Sequence, residues 1–534
     1  MSTSVFPQVR TDTRAHPSPN VLKFDLQSLT HLISGNGWQR KTKPVCMPFT
    51  GEVLGEVPDS KEDDVLAAVN KARQAQRNWA RTSLAMRKAI LIRYHDLVLQ
   101  KQDEMADLLQ LEGGKARLHA MEEVLDVVNV SRYYAYNAYR YLKPSGRKGA
   151  MPFFTAATVY RKPVGVVGII APWNYPLTLA VTDALPALMA GNTVVMKPAE
   201  ETPFIALFAV QLLRQAGLPD DVFQVVTGRG SVLGPPLIQN VDFIHFTGST
   251  NTGRIIAKQA GERLIKYAME LGGKNPIIVL NDANLERAVD GVVRGAFSNA
   301  GQLCVSFERL YVQSGIFQAF VEKLIERVNA IKLGSALDYS VDMGTLASQD
   351  QLNKVSEHVQ DAVAKGAQVL AGGSARPDLG PYFFQPTLLA NVTPGMHVYA
   401  DETFGPVLSI YSFDQVDQAI RLANDSQYGL NASVWTSDTN RGKRIALQIE
   451  AGTVSINEAY IAPWGSVDAP IGGMKSSGVG RRHGAEGILR FTEPQTITTQ
   501  HGVPLAPYGR LKPRHYVWGL SLVLMLLRRI PWLR

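Results

Sequence analysis

Apolar and polar residues alternate along most of the chain with two different periods. Over residues 62–79 and 85–111 the apolar positions recur at helical spacing, and Gly113-Gly114 stops the second run, so both read as long amphipathic helices. From residue 164 the texture changes. Short apolar, β-branched runs at 164–170 (VGVVGII), 193–196, 223–226 and 243–246 are each followed by a turn and mostly by a helical stretch such as 203–216. A strand that is apolar at every position has both faces covered, so this series predicts a doubly wound, mostly parallel α/β sheet. A second series opens near Gly272, with strands at 276–280, 309–313 and 407–413 and a helix at 316–330, and reads as a second α/β domain. Two segments rich in Thr, Val, Phe and Tyr, 148–161 and 488–499, sit outside the alternation and are expected to pair as a protruding sheet. Unpaired strand edges are usually covered by a partner, so a homodimer or homotetramer is expected.

Composition narrows the classes. At 534 residues, 45% apolar and 19% charged, the chain can bury two large cores and carry a smaller appendage. Its two cysteines, Cys46 and Cys304, are too few and too far apart for a disulfide scaffold or a metal cluster, which points to a reducing compartment, the cytoplasm by default. The net charge of +8 comes without a Lys/Arg block, so no nucleic-acid partner is expected. The first twenty residues hold no apolar signal-like run. Near the other end, residues 516–527 (YVWGLSLVLMLL) lie between Arg514 and the group Arg528, Arg529 and Trp532. That run falls well short of the roughly 20 apolar residues of a membrane span. Two readings stay open for residues 514–534: docking on the protein itself or on a neighbouring subunit, or peripheral contact with a membrane.

Cys304 follows Phe297-Ser-Asn-Ala-Gly-Gln-Leu, a small-residue stretch able to present a thiol at a cleft, although a lone Cys is more often a buried small hydrophobe. Glu270 ends an apolar run just before Gly272-Gly273, a setting that desolvates a carboxyl and raises its pKa toward neutrality; the plain alternative is a surface or capping Glu. Asn174, in Pro172-Trp173-Asn174-Tyr175-Pro176, follows the VGVVGII strand at the end where ligands sit in open α/β sheets. Its amide can donate to a developing oxyanion, or it can simply be a turn residue before Pro. Lys197-Pro-Ala-Glu200 and Phe246-Thr-Gly248-Ser249-Thr-Asn-Thr-Gly253 follow two further strands, the second offering a helix N-terminus to a pyrophosphate. It is not a G-x-G-x-x-G fingerprint.

Taken in order, PWNYP, KPAE, FTGSTNTG, MELGGKNP, GQLC, ETFGP and Tyr428-Gly-Leu-Asn431, with thirty-four residues from Glu270 to Cys304, resemble the aldehyde dehydrogenase superfamily over residues 40–500. The resemblance implies a Rossmann-type cofactor domain at 20–147 and 162–271 and an α/β catalytic domain at 272–485. It further implies oligomerisation strands at 148–161 and 486–500, and the tail then spans 501–534. It implies Cys304 as the nucleophile, Asn174 with the Cys304 amide as oxyanion donors, and Glu270 as the base that activates water. For the cofactor it implies Lys197 and Glu200 at the adenosine ribose, and Gly248, Ser249 and Gly253 at the pyrophosphate. Trp173, Leu271, Glu402 and Phe404 would then flank the nicotinamide end. A carboxylate at the ribose repels a 2′-phosphate, so NAD is expected to be preferred, with NADP possible. No metal is implied.

Within the family, residues 298–312, 341–348 and 472–484 look most like a bacterial type of succinic semialdehyde dehydrogenase. The better-known enzymes of that name hold the substrate carboxylate with two arginines, and this chain has Thr182 and Ser298 at about those places. Tyr175, Leu179, Leu303, Val305 and Trp464 would instead line a largely apolar tunnel suited to medium-chain or aromatic aldehydes. Arg482 stands where many members carry a Glu thought to relay protons. A CoA-acylating relative would lack Glu270, and a silent scaffold would have lost Cys304, Glu270 or Asn174.

Overall fold

The computed structural model describes residues 10–12, 16–35, 40–149, 151, 154–460, 465–502, 505–507, 509 and 512–529. Two large sheets organise them. Across the first run Gly478–Val479, Lys266–Glu270, Phe243–Thr247, Val166–Ile170, Thr193–Lys197 and Phe223–Val225. All are parallel except Gly478–Val479, which returns antiparallel to Lys266–Glu270. The strand order reverses between Val166–Ile170 and Phe243–Thr247, so the loops leaving these two strands diverge and open a crevice at their carboxyl ends.

Alternation within each strand explains why both faces are apolar. Val167, Ile169, Val194, Met196, Phe243 and Ala268 point into one core, packed with helices Leu84–Gln100, Arg117–Leu142 and Pro203–Gln215. Their neighbours Val166, Ile170, Val195, Ile244, Phe246 and Met269 point into another, beneath helices Glu62–Trp79, Gly230–Asn240 and Thr250–Glu262. The second sheet runs Gln368–Ala371, Thr387–Ala390, Val407–Phe413, Phe307–Gln313, Asn275–Val279, Asn431–Trp435 and Thr453–Ile456, antiparallel only at its first pair. It too divides alternate residues, Ile277, Val279, Leu310 and Val312 against Ile278, Leu280 and Tyr311, between two cores.

Three expectations need correction. The helix expected at 85–111 is two helices, Leu84–Gln100 and Gln102–Gly113, because Lys101 leaves helical geometry (φ −103°, ψ 15°). The segment at 148–161 divides between Ser145–Lys148 and Thr155–Pro163, which pair antiparallel with each other. The strand expected from 488 begins at Thr492, since Gly484–Leu489 is a helical turn; Thr492–Gln500 pairs antiparallel with Thr155–Pro163 and forms the outer edge of this small sheet. At the far end, helix Pro513–Leu527 has no fully buried side chain, with Tyr516, Leu520 and Leu527 partly covered.

Candidate active site

Glu270 is the last residue of its strand, and residues 271–274 carry the chain directly to Asn275–Val279 of the second sheet. Asn275 Nδ2 donates to the carbonyls of Cys304 and Ser306, each at 2.7 Å, so the junction between the sheets grips the turn that bears Cys304. The approach to that turn is a left-handed run, Asn299 (φ 50°), Ala300 (φ 54°) and Gly301 (φ 71°). For the two non-glycine residues this conformation costs about 1–3 kcal/mol each and persists only where surroundings enforce it. Gln302 supplies that enforcement. Its Nε2 donates to the carbonyls of Asn299 (3.0 Å) and Thr345 (3.1 Å), and its Oε1 accepts from the Ala347 N–H (2.9 Å). Gly301 is required, because a Cβ there would lie 2.1 Å from the Gly405 carbonyl oxygen.

Asn174 leaves the carboxyl end of Val166–Ile170 in a loop fixed from three sides. Lys115 Nζ and Asn299 Nδ2 donate to its backbone carbonyl at 2.8 and 3.2 Å. Lys115 also pairs with Glu123 where both side chains are fully buried, and Glu123 Oε2 accepts from the Leu177 and Thr178 N–H groups at 2.9 and 3.1 Å. One hydrogen of the Asn174 amide goes to the Gln302 carbonyl (3.0 Å). An amide carries two N–H donors, so the other remains for the cavity that Asn174 lines.

Two cavities meet at Asn174, Thr247, Glu270 and Cys304, all four of which line both. The smaller, about 80 Å³, is also lined by Tyr175, Leu179, Leu303 and Val305, four of the residues expected at the substrate. Its wall is not uniformly apolar, because Asp126, Thr178, Arg482 and His483 line it too. Trp464 lies outside the described residues.

Arg482 carries most of this polarity. Its Nη2 donates to Thr182 Oγ1 at 2.5 Å, and its Nε donates to Asp183 Oδ1 at 3.1 Å. Asp183 also meets His245 Nε2 (3.0 Å) and Arg490. Burial works against the Asp183 charge, but Arg482, His245 and Arg490 outweigh it and hold the carboxyl well below its usual range. A guanidinium therefore rests on Thr182, the position that the sequence reading marked as lacking one. Neither residue alone signals this; the helix pair around 176–189 and the turn at 482 must first be folded together.

Burial pushes Glu270 up to about 7, against the lowering influence of Arg482 and Arg490. Burial, with the charges of Glu270 and Glu402, pushes the Cys304 thiol up to about 12, so it is held protonated near neutrality. The pairing suits a carboxylate that exchanges protons beside a thiol or water.

The larger cavity, about 210 Å³, is lined by Trp173, Gly248, Ser249, Leu271, Glu402 and Phe404 from the expected cofactor set. Ser249 caps helix Thr250–Glu262, its side chain accepting from the Thr252 N–H, and so leaves a positive helix end facing the crevice. Gly272 and Gly253 make close approaches: a Cβ on Gly272 would sit 2.5 Å from Glu402 Oε2, and one on Gly253 would sit 2.6 Å from Leu271 Cδ2. Glu402 Oε1 accepts from the Gly273 N–H at 2.7 Å. A second buried ion pair fixes this loop: Lys274 binds Glu308, whose oxygens accept from the Thr403 and Phe404 N–H groups at 2.9 Å. Lys197, Glu200 and Gly253 do not line this cavity. Lys197 ends the neighbouring strand, and Glu200 pairs with Lys43 at 3.2 Å. Sequence reasoning missed Lys115, Glu123, Lys274 and Glu308; the available signal was a pair of opposite charges in otherwise apolar or glycine-flanked settings.

The aldehyde dehydrogenase family profile matches residues 36–497. The chain is 49% identical to a protein of Mycolicibacterium smegmatis provisionally named succinate-semialdehyde dehydrogenase (NADP+), over 92% of this chain and 95% of that protein. A Mycobacterium tuberculosis protein of the same provisional name is 50% identical over the same shares. Among solved structures, an NADP-dependent enzyme of E. coli superposes with a TM-score of 0.84 at 35% identity, covering 92% of this chain and 98% of the other. Betaine aldehyde dehydrogenase of Staphylococcus aureus in complex with NAD+ superposes with a TM-score of 0.84 at 34% identity, covering 91% and 99%.

Proposed function

The chain belongs to the aldehyde dehydrogenase family, and from that premise we propose that it oxidises a small carboxylate-bearing aldehyde, succinic semialdehyde or a close analogue, to the acid with a nicotinamide dinucleotide. The observation that carries this reading is the shared wall of the two cavities. A thiol, a carboxyl poised near neutrality and a fixed amide donor line the same space, which opens on one side to the N-terminal end of helix Thr250–Glu262.

The Cys304 sulfur attacks the aldehyde carbon, and its proton passes to Glu270 as the C–S bond forms. The oxygen that gains charge is held by the free N–H of Asn174 and the Cys304 amide. A nicotinamide held in the larger cavity would supply the acceptor for the hydride that leaves the same carbon, leaving Cys304 as a thioester. Glu270, its proton released, takes another from water; the resulting hydroxide attacks the thioester carbon, the C–S bond breaks, and the acid departs. For the cofactor, Ser249 and the Thr250–Glu262 helix end would take the pyrophosphate, Glu402 the nicotinamide ribose, and Lys197 with Glu200 the adenosine ribose. Glu200 favours NAD, while Lys43 beside it softens the repulsion of a 2′-phosphate, so NADP is admitted at lower affinity.

Arg482 supports the carboxylate substrate. Its Nε and Nη2 are engaged by Asp183 and Thr182, its Nη1 makes no hydrogen bond among the described residues, and the side chain lines the cavity beside Cys304. Tyr175, Leu179, Leu303 and Val305 favour a second reading, an uncharged medium-chain or aromatic aldehyde. The test is kcat/KM for succinic semialdehyde against hexanal, decanal and benzaldehyde, in wild type and Arg482→Gln. A wild-type preference for succinic semialdehyde that falls about a hundredfold in the variant, relative to hexanal, supports Arg482 as the anchor. An unchanged ratio sinks that role, and a wild-type preference for the uncharged aldehydes favours the second reading.

A further inference from the structure

The C-terminal helix Pro513–Leu527 lies beyond the family match, which ends at residue 497, and has no fully buried side chain, only Tyr516, Leu520 and Leu527 among its large residues being partly covered. Most of its exposed residues are large and apolar: Trp518 is 69% exposed and Met525 is 61%. Leu522, Val523, Leu524, Met525 and Leu526 are all exposed and consecutive, and at about 100° per residue they cover the whole circumference of the helix. The apolar surface is therefore a sleeve and not a stripe. A second copy of the chain would cover one stripe of it; a helix apolar all round needs an apolar medium on every side.

The ends of the sleeve are cationic. Lys512 and Arg514 stand at one end and Arg528 and Arg529 at the other, and from residue 494 to the C-terminus the sequence holds six Lys or Arg and no Asp or Glu. Fifteen residues reach about 22 Å, short of the roughly 30 Å hydrocarbon core. Among the described residues, no helix is long and apolar enough to cross a membrane. With Lys512, Arg514 and Arg529 at its ends, the helix places cations at the headgroups and its apolar sleeve in hydrocarbon together by lying within one leaflet. Tyr516 and Trp518 near its start are the residue types that favour that depth. We infer that this helix binds the interface of an anionic lipid bilayer and holds the enzyme at the membrane surface.

The test is sedimentation of the full chain with sucrose-loaded vesicles of phosphatidylcholine alone or with about 30% phosphatidylglycerol, a proportion chosen to give the negative surface that polybasic segments bind. Two variants run in parallel: a truncation after Lys512, and the full-length double substitution Val523→Glu with Leu524→Glu. Retained aldehyde oxidation serves as the check that each has folded. Each cation near an anionic surface strengthens binding about fivefold, so the full chain should bind the anionic vesicles at least tenfold more tightly than the neutral ones. Both variants should stay in the supernatant. The proposal is overturned if the full chain fails to sediment with either vesicle, or if the truncated chain sediments as well as the full one. It is equally overturned if truncation lowers the oligomeric mass without any vesicle binding by the full chain, which would make a second copy the occupant.

Discussion

Glu270 has to be buried enough to hold a proton near neutrality and yet close enough to Arg482 to lose it. With its carboxyl at about 7, the base form grows as pH rises through that value, so turnover limited by thioester hydrolysis should climb across pH 6–8 and flatten above. Glu270→Gln removes that limb. It should lower steady-state turnover about 10²- to 10⁴-fold and slow the pre-steady-state burst of reduced cofactor as well, because the same carboxylate takes the Cys304 proton. A burst that keeps its wild-type rate while turnover falls would confine Glu270 to hydrolysis. At the cofactor end, Glu200→Gln should raise kcat/KM for NADP by about tenfold, one favourable charge contact, with NAD little changed. That Cys304, Glu270 and Asn174 share one cavity was legible in the sequence, because the flanking glycines and strand ends dictate placement. Arg482 was legible only as a departure. Its contact with Thr182 joins residues far apart in the chain, and no local pattern encodes such a contact.

At the scale of elements, two buried lysine–glutamate pairs do the same job in different places. Lys115–Glu123 ties helix Arg117–Leu142 to the start of helix Pro176–Val181 and so to Asn174; Lys274–Glu308 ties the junction of the sheets to Thr403 and Phe404. In each, the carboxylate accepts backbone N–H groups from the loop it positions. Removing one partner leaves an uncompensated buried charge, which costs about 3–5 kcal/mol. Lys115→Met should therefore lower the Tm measurably, and Lys115→Met with Glu123→Leu should recover part of it by repacking. Recovered stability without recovered kcat would show that the pair serves to position Asn174. Parallel strands were the most legible elements, since apolar residues fill most of their positions on both faces. The break at Lys101 and the shift of the last strand to Thr492 were not: Lys101 is flanked by good helix formers, and Ile488 and Leu489 look strand-like until Phe491 and Ile488 are seen buried in the first core.

For the whole molecule, the edge strand Thr492–Gln500 bears on assembly and on the site together. It is exposed over all but its first residue, and Ile497 presents a half-exposed apolar side chain from it. Such an edge is a template for pairing unless covered, and we expect a second copy of the chain to cover it. Ile497→Glu should then shift the sedimentation-equilibrium mass toward the 58.5 kDa of one chain. The consequence should reach the active site through a short covalent path. The strand begins two residues after Arg490, which pairs with Asp183, and Asn192 Nδ2 donates to the Phe491 carbonyl at 3.0 Å. Asp183 in turn fixes Arg482. A monomerised variant with the strand end loosened should lose activity on warming before the bulk unfolds, with kcat/KM for a carboxylate aldehyde falling ahead of that for hexanal. An unchanged mass would show that this edge is not the interface, and a changed mass with unaltered heat resistance would separate assembly from the Asp183 network.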